Sequence, residues 1–226
     1  FDKISAVANA LTFGLLIYSM EGFAHHENMN LLWIQLALLA FVGTYYVRRQ
    51  LRREAPLLPV DLLKIPIFSL SVLTSICSFT AQMLALVSLP FYLQNVLGRT
   101  DIATGLLLTP WPVATLFTAP LAGYLVEKIH AGLLGCVGML IFGTGWFLLA
   151  TLSSPTDGAI IWRMAVCGAG FGLFQTPNNS TIMSSAPTNR SGGASGMIGT
   201  ARLLGQTLGA TLVALLFSLA PQGKSN

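Results

Sequence analysis

Apolar residues run through this chain in seven long stretches separated by short polar gaps. Asp, Glu, Lys and Arg are absent from residues 4–20, 28–47, 65–98, 102–126, 131–156, 164–189 and 203–223. Each stretch comes close to or exceeds the roughly 20 residues an α-helix needs to cross a hydrocarbon core about 30 Å thick. In lipid the backbone must satisfy its own hydrogen bonds, which leaves helices or closed barrels, and barrel strands would be shorter and alternating. The pattern therefore predicts an all-α, polytopic membrane protein with seven transmembrane helices. The third stretch is longer than an upright span requires, so it predicts either an interfacial end near Gln94 and Asn95 or a marked tilt. The last extends backward through Arg202 toward Gly192.

Composition agrees. With 54% hydrophobic and 9% charged residues and a mean hydropathy of +0.70, the chain is neither disordered nor a water-soluble domain. Cys77, Cys136 and Cys167 all lie inside apolar stretches and read as small core residues, not a disulfide framework. The formal charge of +4 comes from basic residues in the gaps, which form no basic face with interleaved aromatics, so nucleic acid is not a partner. Their placement sets topology instead. Arg48, Arg49, Arg52, Arg53 and Lys64 follow the second stretch, and Lys128 and Arg190 follow the fourth and sixth, which places these gaps and residue 1 on the cytoplasmic side. The His25 gap, the Arg99-Thr100-Asp101 turn and the 153–158 loop fall outside. Asp2 and Lys3 make a poor signal-peptide start, so the first stretch reads as a mature span. The start at Phe1 and the external end predict a piece of a longer chain.

Polar residues at lipid depth are costly, so their faces are informative. Ser71, Ser75, Ser78 and Gln82 recur at helical steps in the third stretch. Thr104, Trp111, Thr115 and Thr118 do so in the fourth, and Gly168, Phe171, Gln175 and Asn178 in the sixth. The seventh carries Ser195, Gly199, Arg202, Gln206 and Gly209. Two accounts stay open for the small residues among them: close helix packing, or the wall of a shared wet cavity. Close packing is the expectation for the pairs Gly168/Gly172, Gly192/Gly196 and Gly205/Gly209. Whole amides need partners away from lipid, so Gln82, Gln175, Asn178 and Gln206 are assigned to a cavity. Arg202 lies near the bilayer midplane and needs water or a counter-charge, yet no carboxylate occurs in any stretch; a gating or counter-charge role is assigned to it. Arg163 is expected to snorkel to headgroups. Pro110, Pro112, Pro120 and Pro177 predict kinks that suit moving helices.

Enzyme signals fail. Gly168-Ala169-Gly170-Phe171-Gly172 has Leu173 where a dinucleotide loop needs glycine, and it lies in a span. His25, His26 and Glu27 are adjacent, a poor metal geometry without further ligands. Asn179-Ser180-Thr181 matches a glycosylation pattern but is too deep to be modified. No nucleophile, base and orienting acid come together, so neither enzyme activity nor a metal or other cofactor is expected.

The run from Gly168 through Pro177-Asn178-Asn179-Ser180, followed by Gly193-Ala194-Ser195-Gly196-Met197 through Arg202 to Gly209, resembles the late helices of major facilitator superfamily drug exporters, most closely the fourteen-helix drug:proton antiporter branch. Gly123, Glu127 and Lys128 look like a degenerate copy of that family's cytoplasmic loop motif, with glutamate and lysine substituted. The resemblance implies a partial major facilitator fold: two linker helices over 1–47, a cytoplasmic basic connection over 48–66, and five of the six helices of the second bundle over 67–226. It implies proton-coupled efflux of amphipathic, often cationic, small molecules by alternating access, in a bacterial cytoplasmic (inner) membrane, with Trp111, Thr115, Phe171, Phe174 and Phe117 supplying apolar and cation-attracting surfaces of the cavity. The partners implied are the cargo, protons, the lipid bilayer and the remaining N-terminal half of the transporter, whose first bundle would carry the proton-coupling acids. A proton-linked metabolite importer of the same superfamily is the alternative. A seven-helix receptor fits the helix count but lacks a lysine in the seventh span for a Schiff base.

Overall fold

The computed structural model describes residues 11–12, 14–15, 18–19, 29–51, 61–153 and 155–219, and no strand occurs among them. Helix α1 spans Met29–Leu51, and a 3-10 turn at Leu62–Lys64 leads into α2, Pro66–Phe91, which continues as a π-helical segment at Tyr92–Val96. Then come α3 (Asp101–Leu108), α4 (Pro110–Val126), α5 (Ala131–Ala150) and α6 (Asp157–Ser185). A second 3-10 turn at Thr188–Arg190 precedes α7, Ser191–Leu219. Among the described residues, five segments are long and apolar enough to cross a membrane: Pro66–Val96, Asp101–Val126, Ala131–Ala150, Asp157–Ser185 and Thr188–Phe217. They correspond to the third through seventh predicted stretches, and the chain is an integral membrane protein. The second stretch contains the shorter apolar helix Trp33–Tyr45. Most of the first stretch, with Arg52, Arg53, His25, His26 and Glu27, lies outside the described residues.

The long third stretch ends instead of continuing. Gly98 adopts a left-handed φ of +63°, and the Arg99 N–H donates to the Leu93 carbonyl at 2.9 Å. That closes the helix just beyond the exposed Gln94 and Asn95. Of the four prolines expected to kink helices, Pro110 and Pro112 follow a break between two helices, while Pro120 and Pro177 lie inside helices that run on. Pro110 and Pro112 lack the N–H groups that would carry α3 into α4, and Thr109 bridges the interruption by donating its hydroxyl to the Gly105 carbonyl at 2.8 Å. Pro177 lies inside α6, where Thr181 donates to its carbonyl at 2.8 Å.

One boundary differs. The charge-free stretch begins at residue 164, whereas α6 begins at Asp157 and contains Arg163. The reason is local. Arg163, expected to snorkel, has its Nε donating to the Leu148 carbonyl at 3.0 Å and its guanidinium NH1 to the Ala159 carbonyl at 2.9 Å. Leu148 belongs to the last turn of α5, where carbonyls lack intrahelical donors, so the cation is satisfied by backbone and the helix can include it.

The described residues divide into two compact units, one from those up to Ser88 together with those from Ser185 onward, the other Leu89–Ser184. In the first, α7 packs on α2 through glycine. A Cβ on Gly205 would lie 2.6 Å from the Ile76 carbonyl oxygen, and one on Gly209 would lie 2.6 Å from that of Thr80. In the second, three of the four glycines of α6 touch two different helices. Gly168 and Gly172 abut Trp111 and Thr118 of α4, while Gly170 abuts the backbone of Phe142 in α5. Gly138 of α5 reciprocates, since a methyl added to it would fall 2.5 Å from the Phe174 nitrogen.

Candidate functional site

The polar stripes fall on both units. In the Leu89–Ser184 unit, Trp111 and Phe171 are buried, with ring centroids 5.6 Å apart. Phe142 stands edge-on to Trp111 at 5.6 Å and 74°, and Trp146 lies 5.3 Å from it. Four rings thus satisfy one another in the offset and edge-to-face geometries that aromatic quadrupoles favour. Phe174, one turn on from Phe171, is buried as well, whereas Phe117 is exposed. The hydroxyl of Thr115 has two carbonyls in reach, Gly168 at 2.9 Å and Trp111 at 3.0 Å. Gln175 and Asn178 follow Phe171 at helical steps and are half-buried. Thr104 Oγ1 and Trp146 Nε1 are buried with no hydrogen-bond partner among the described residues.

In the other unit, α7 turns Ala194, Met197, Ala201, Gly205, Gly209 and Val213 inward at steps of three and four. Arg202 projects from a different side of the helix and is exposed, with Gln206 half-buried one turn further. Gln82 is half-buried on α2. Arg202 is midway along the Thr188–Phe217 span, about 20 Å from Thr188 at a rise of 1.5 Å per residue. Among the described residues no ion pair or hydrogen bond engages it. Beside it, Gly199 has no described atom within 4 Å of where a Cβ would sit. Gly192 and Gly196 likewise have no described atom within 4 Å, so among the described residues the predicted close packing is seen for Gly168/Gly172 and Gly205/Gly209 and not for that pair. Between α2 and α7 lies an open apolar groove of about 300 Å³, lined in part by Leu63, Val72, Ile76, Met197, Ala201 and Leu204.

Gly123 has only an ordinary contact, Thr176 Cγ2 at 3.8 Å from a would-be Cβ. Glu127 is exposed at the C-cap of α4, and the Lys128 ammonium donates to the Tyr124 hydroxyl, 4.2 Å from that ring's centroid. Sequence patterning missed two ion pairs. Arg190 grips Asp61 at 2.7 and 2.9 Å, and Arg99 meets Asp157 at 2.5 Å. The only signal available was placement: each pair joins gaps that the alternation of spans assigns to one end of the helices.

The family model described as Major Facilitator Superfamily matches residues 5–210. "Uncharacterized transporter YebQ" of Escherichia coli (strain K12) is 63% identical over 219 residues, covering 96% of this chain and 48% of that protein. "Multidrug resistance protein Stp" of Mycobacterium tuberculosis (strain H37Rv) is 27% identical over 215 residues, 92% of this chain and 39% of its own. "Multidrug efflux pump LfrA" of Mycolicibacterium smegmatis is 26% identical over 219 residues, 96% of this chain and 44% of its own. The chain thus spans less than half the length of these three relatives.

Proposed function

The chain belongs to the major facilitator superfamily, and from that premise we propose that it forms part of a secondary active efflux transporter exchanging protons for amphipathic small molecules. In this reading residues 1–47 are two linker helices, 48–66 a cytoplasmic connection and 67–226 most of the second helical bundle, residue 1 being cytoplasmic and the membrane a bacterial inner membrane. The two bundles rock about a midplane site and expose it alternately to each side. Gln82, Gln175, Asn178 and Gln206 are assigned to orienting the cargo, and Thr115 with the Trp111, Phe171 and Phe174 rings to supplying apolar surface within its own unit. Gly123, Glu127 and Lys128 form the cytoplasmic loop at the end of α4. The multidrug names of two relatives favour efflux over uptake.

The observation that carries the reading is the exposure of Arg202 at mid-span. A guanidinium at the centre of a helix costs roughly 2.5–3.5 kcal/mol on insertion scales when it faces lipid. It is therefore best accommodated on a water-filled or protein-filled path between bundles, where it gates or balances charge. The test is transport by the full-length protein in everted membrane vesicles. An acid-interior proton gradient is expected to drive accumulation of a fluorescent amphipathic dye. In a background without native cysteines, a water-soluble thiol reagent is expected to block the Gln175→Cys and Gln206→Cys variants. Gradient-independent dye movement, or inaccessibility of both positions, defeats the proposal.

A further inference from the structure

Five charged residues lie within the five spans: Asp101, Asp157, Arg163, Arg190 and Arg202. Asp101 and Asp157 open the first turns of α3 and α6, and Asp157 is paired with Arg99. Arg190 is paired with Asp61, and Arg163 is held by two carbonyls. Arg202 is what remains: a lone cation at depth, with no described partner and no carboxylate in the middle of any span. The rings that could attract a cationic cargo are turned toward one another, Trp111 and Phe171 being 5% and 3% exposed. On its exposed side Arg202 is followed by the Gln206 amide at i+4 and preceded by Gly199 at i−3, where the absence of a side chain leaves room over the preceding turn.

We infer that Arg202, supported by Gln206, is a carboxylate-binding position, so that what this part of the transporter recognises at depth is an anionic group and not a cation. A guanidinium offers a planar fork of N–H donors that matches two carboxylate oxygens, and a nearby amide NH₂ adds a further donor. Low dielectric around the span strengthens such a pair and penalises a second positive charge there. The inference rests on the efflux reading for its location on a transport path, but the binding chemistry is independent of the direction of transport. The carboxylate comes either from the cargo or from an acidic side chain elsewhere in the full-length protein.

The experiment uses purified full-length protein and three probes of one scaffold: a fluorescent amphipathic carboxylate, its methyl ester and a quaternary-ammonium analogue. Binding is followed by dye polarisation, and transport in proteoliposomes. A cargo carboxylate predicts that the free acid binds best and that Arg202→Gln weakens it by about tenfold or more, Arg202→Lys by less, with the ester unchanged. A protein carboxylate predicts instead that Arg202→Gln slows export of all three probes alike, leaves their relative binding unchanged, and is rescued by Arg202→Lys. Either result supports the inference. It is overturned if Arg202→Gln alters neither acid binding nor transport at equal expression, or if it weakens binding of the quaternary-ammonium probe more than that of the acid. If no probe is exported but acid binding still depends on Arg202, the efflux reading fails and this one stands.

Discussion

Arg190 and Asp61 meet across 129 residues in two nearly parallel N–H···O bonds of 2.7 and 2.9 Å. Asp61 precedes the 3-10 turn that enters α2, and Arg190 ends the one that enters α7, so a single fork ties together the starts of two packed helices. The Arg190 side chain is 16% exposed and that of Asp61 41%, which screens the pair only in part. Single alanine substitutions at either position are expected to lower the unfolding midpoint. A double-mutant cycle should return a coupling of about 1 kcal/mol, the upper range for a partly exposed bidentate pair. Strictly additive effects in thermal unfolding of purified protein would show the fork to be energetically idle.

Glycine substitutions should separate into two classes. At Gly170 a methyl falls on the Phe142 backbone nitrogen and 2.8 Å from the Gly138 carbonyl oxygen, with no flexible side-chain end to yield. Gly170→Ala is expected to cost about 1–3 kcal/mol through overpacking. Gly196 meets nothing within 4 Å, and Gly196→Ala should be neutral or gain up to about 1 kcal/mol of helix preference. Detergent-induced unfolding compares the two directly, and equal behaviour would contradict the packing described.

Thr115→Val removes the hydroxyl bond to the Gly168 carbonyl while keeping the side chain's shape. Interhelical hydrogen bonds of this kind contribute about 0.6–2 kcal/mol, and the loss should fall in that interval, with Thr115→Ser close to the unaltered protein. A serine variant as unstable as the valine one would assign the effect to packing.

Arg163→Met should destabilise the end of α5 by about 1–3 kcal/mol, since the Leu148 and Ala159 carbonyls lose a charged donor. Arg163→Lys, with one ammonium for two divergent carbonyls, should recover part of that. Hydrogen exchange at residues 148–152 gives the local readout: unchanged protection in Arg163→Met would mean the bonds carry no load.

The third to seventh spans were legible because burial in lipid imposes a length and an apolar composition on each. Glycine packing was legible at Gly168, Gly172, Gly205 and Gly209, where i, i+4 spacing coincides with an inward face. It was not legible at Gly192 and Gly196, because spacing does not say which face a helix turns inward. The start of α6 was misplaced because counting charge-free residues treats Arg163 as a boundary, while the free carbonyls of α5 that admit it exist only once the helices are packed. The stripes of candidate residues were readable on each helix, but the mutual contacts of Trp111, Phe142, Trp146 and Phe171 depend on tertiary placement. Phe142 and Trp146, on a helix without a polar stripe, gave no signal at all. The Asp61–Arg190 pair was hidden for a different reason: its partners are too far apart in sequence for any periodicity to connect them.

Interlocked backbones resist sliding, because each notch fits only its own tooth. With Gly168 and Gly172 seated on α4 and Gly170 on α5, α6 cannot shift along either neighbour by a fraction of a turn without steric collision. These three helices are therefore locked into one block, and any bending is expected at interruptions such as Thr109, where the α3–α4 hydrogen-bond ladder is already cut by proline.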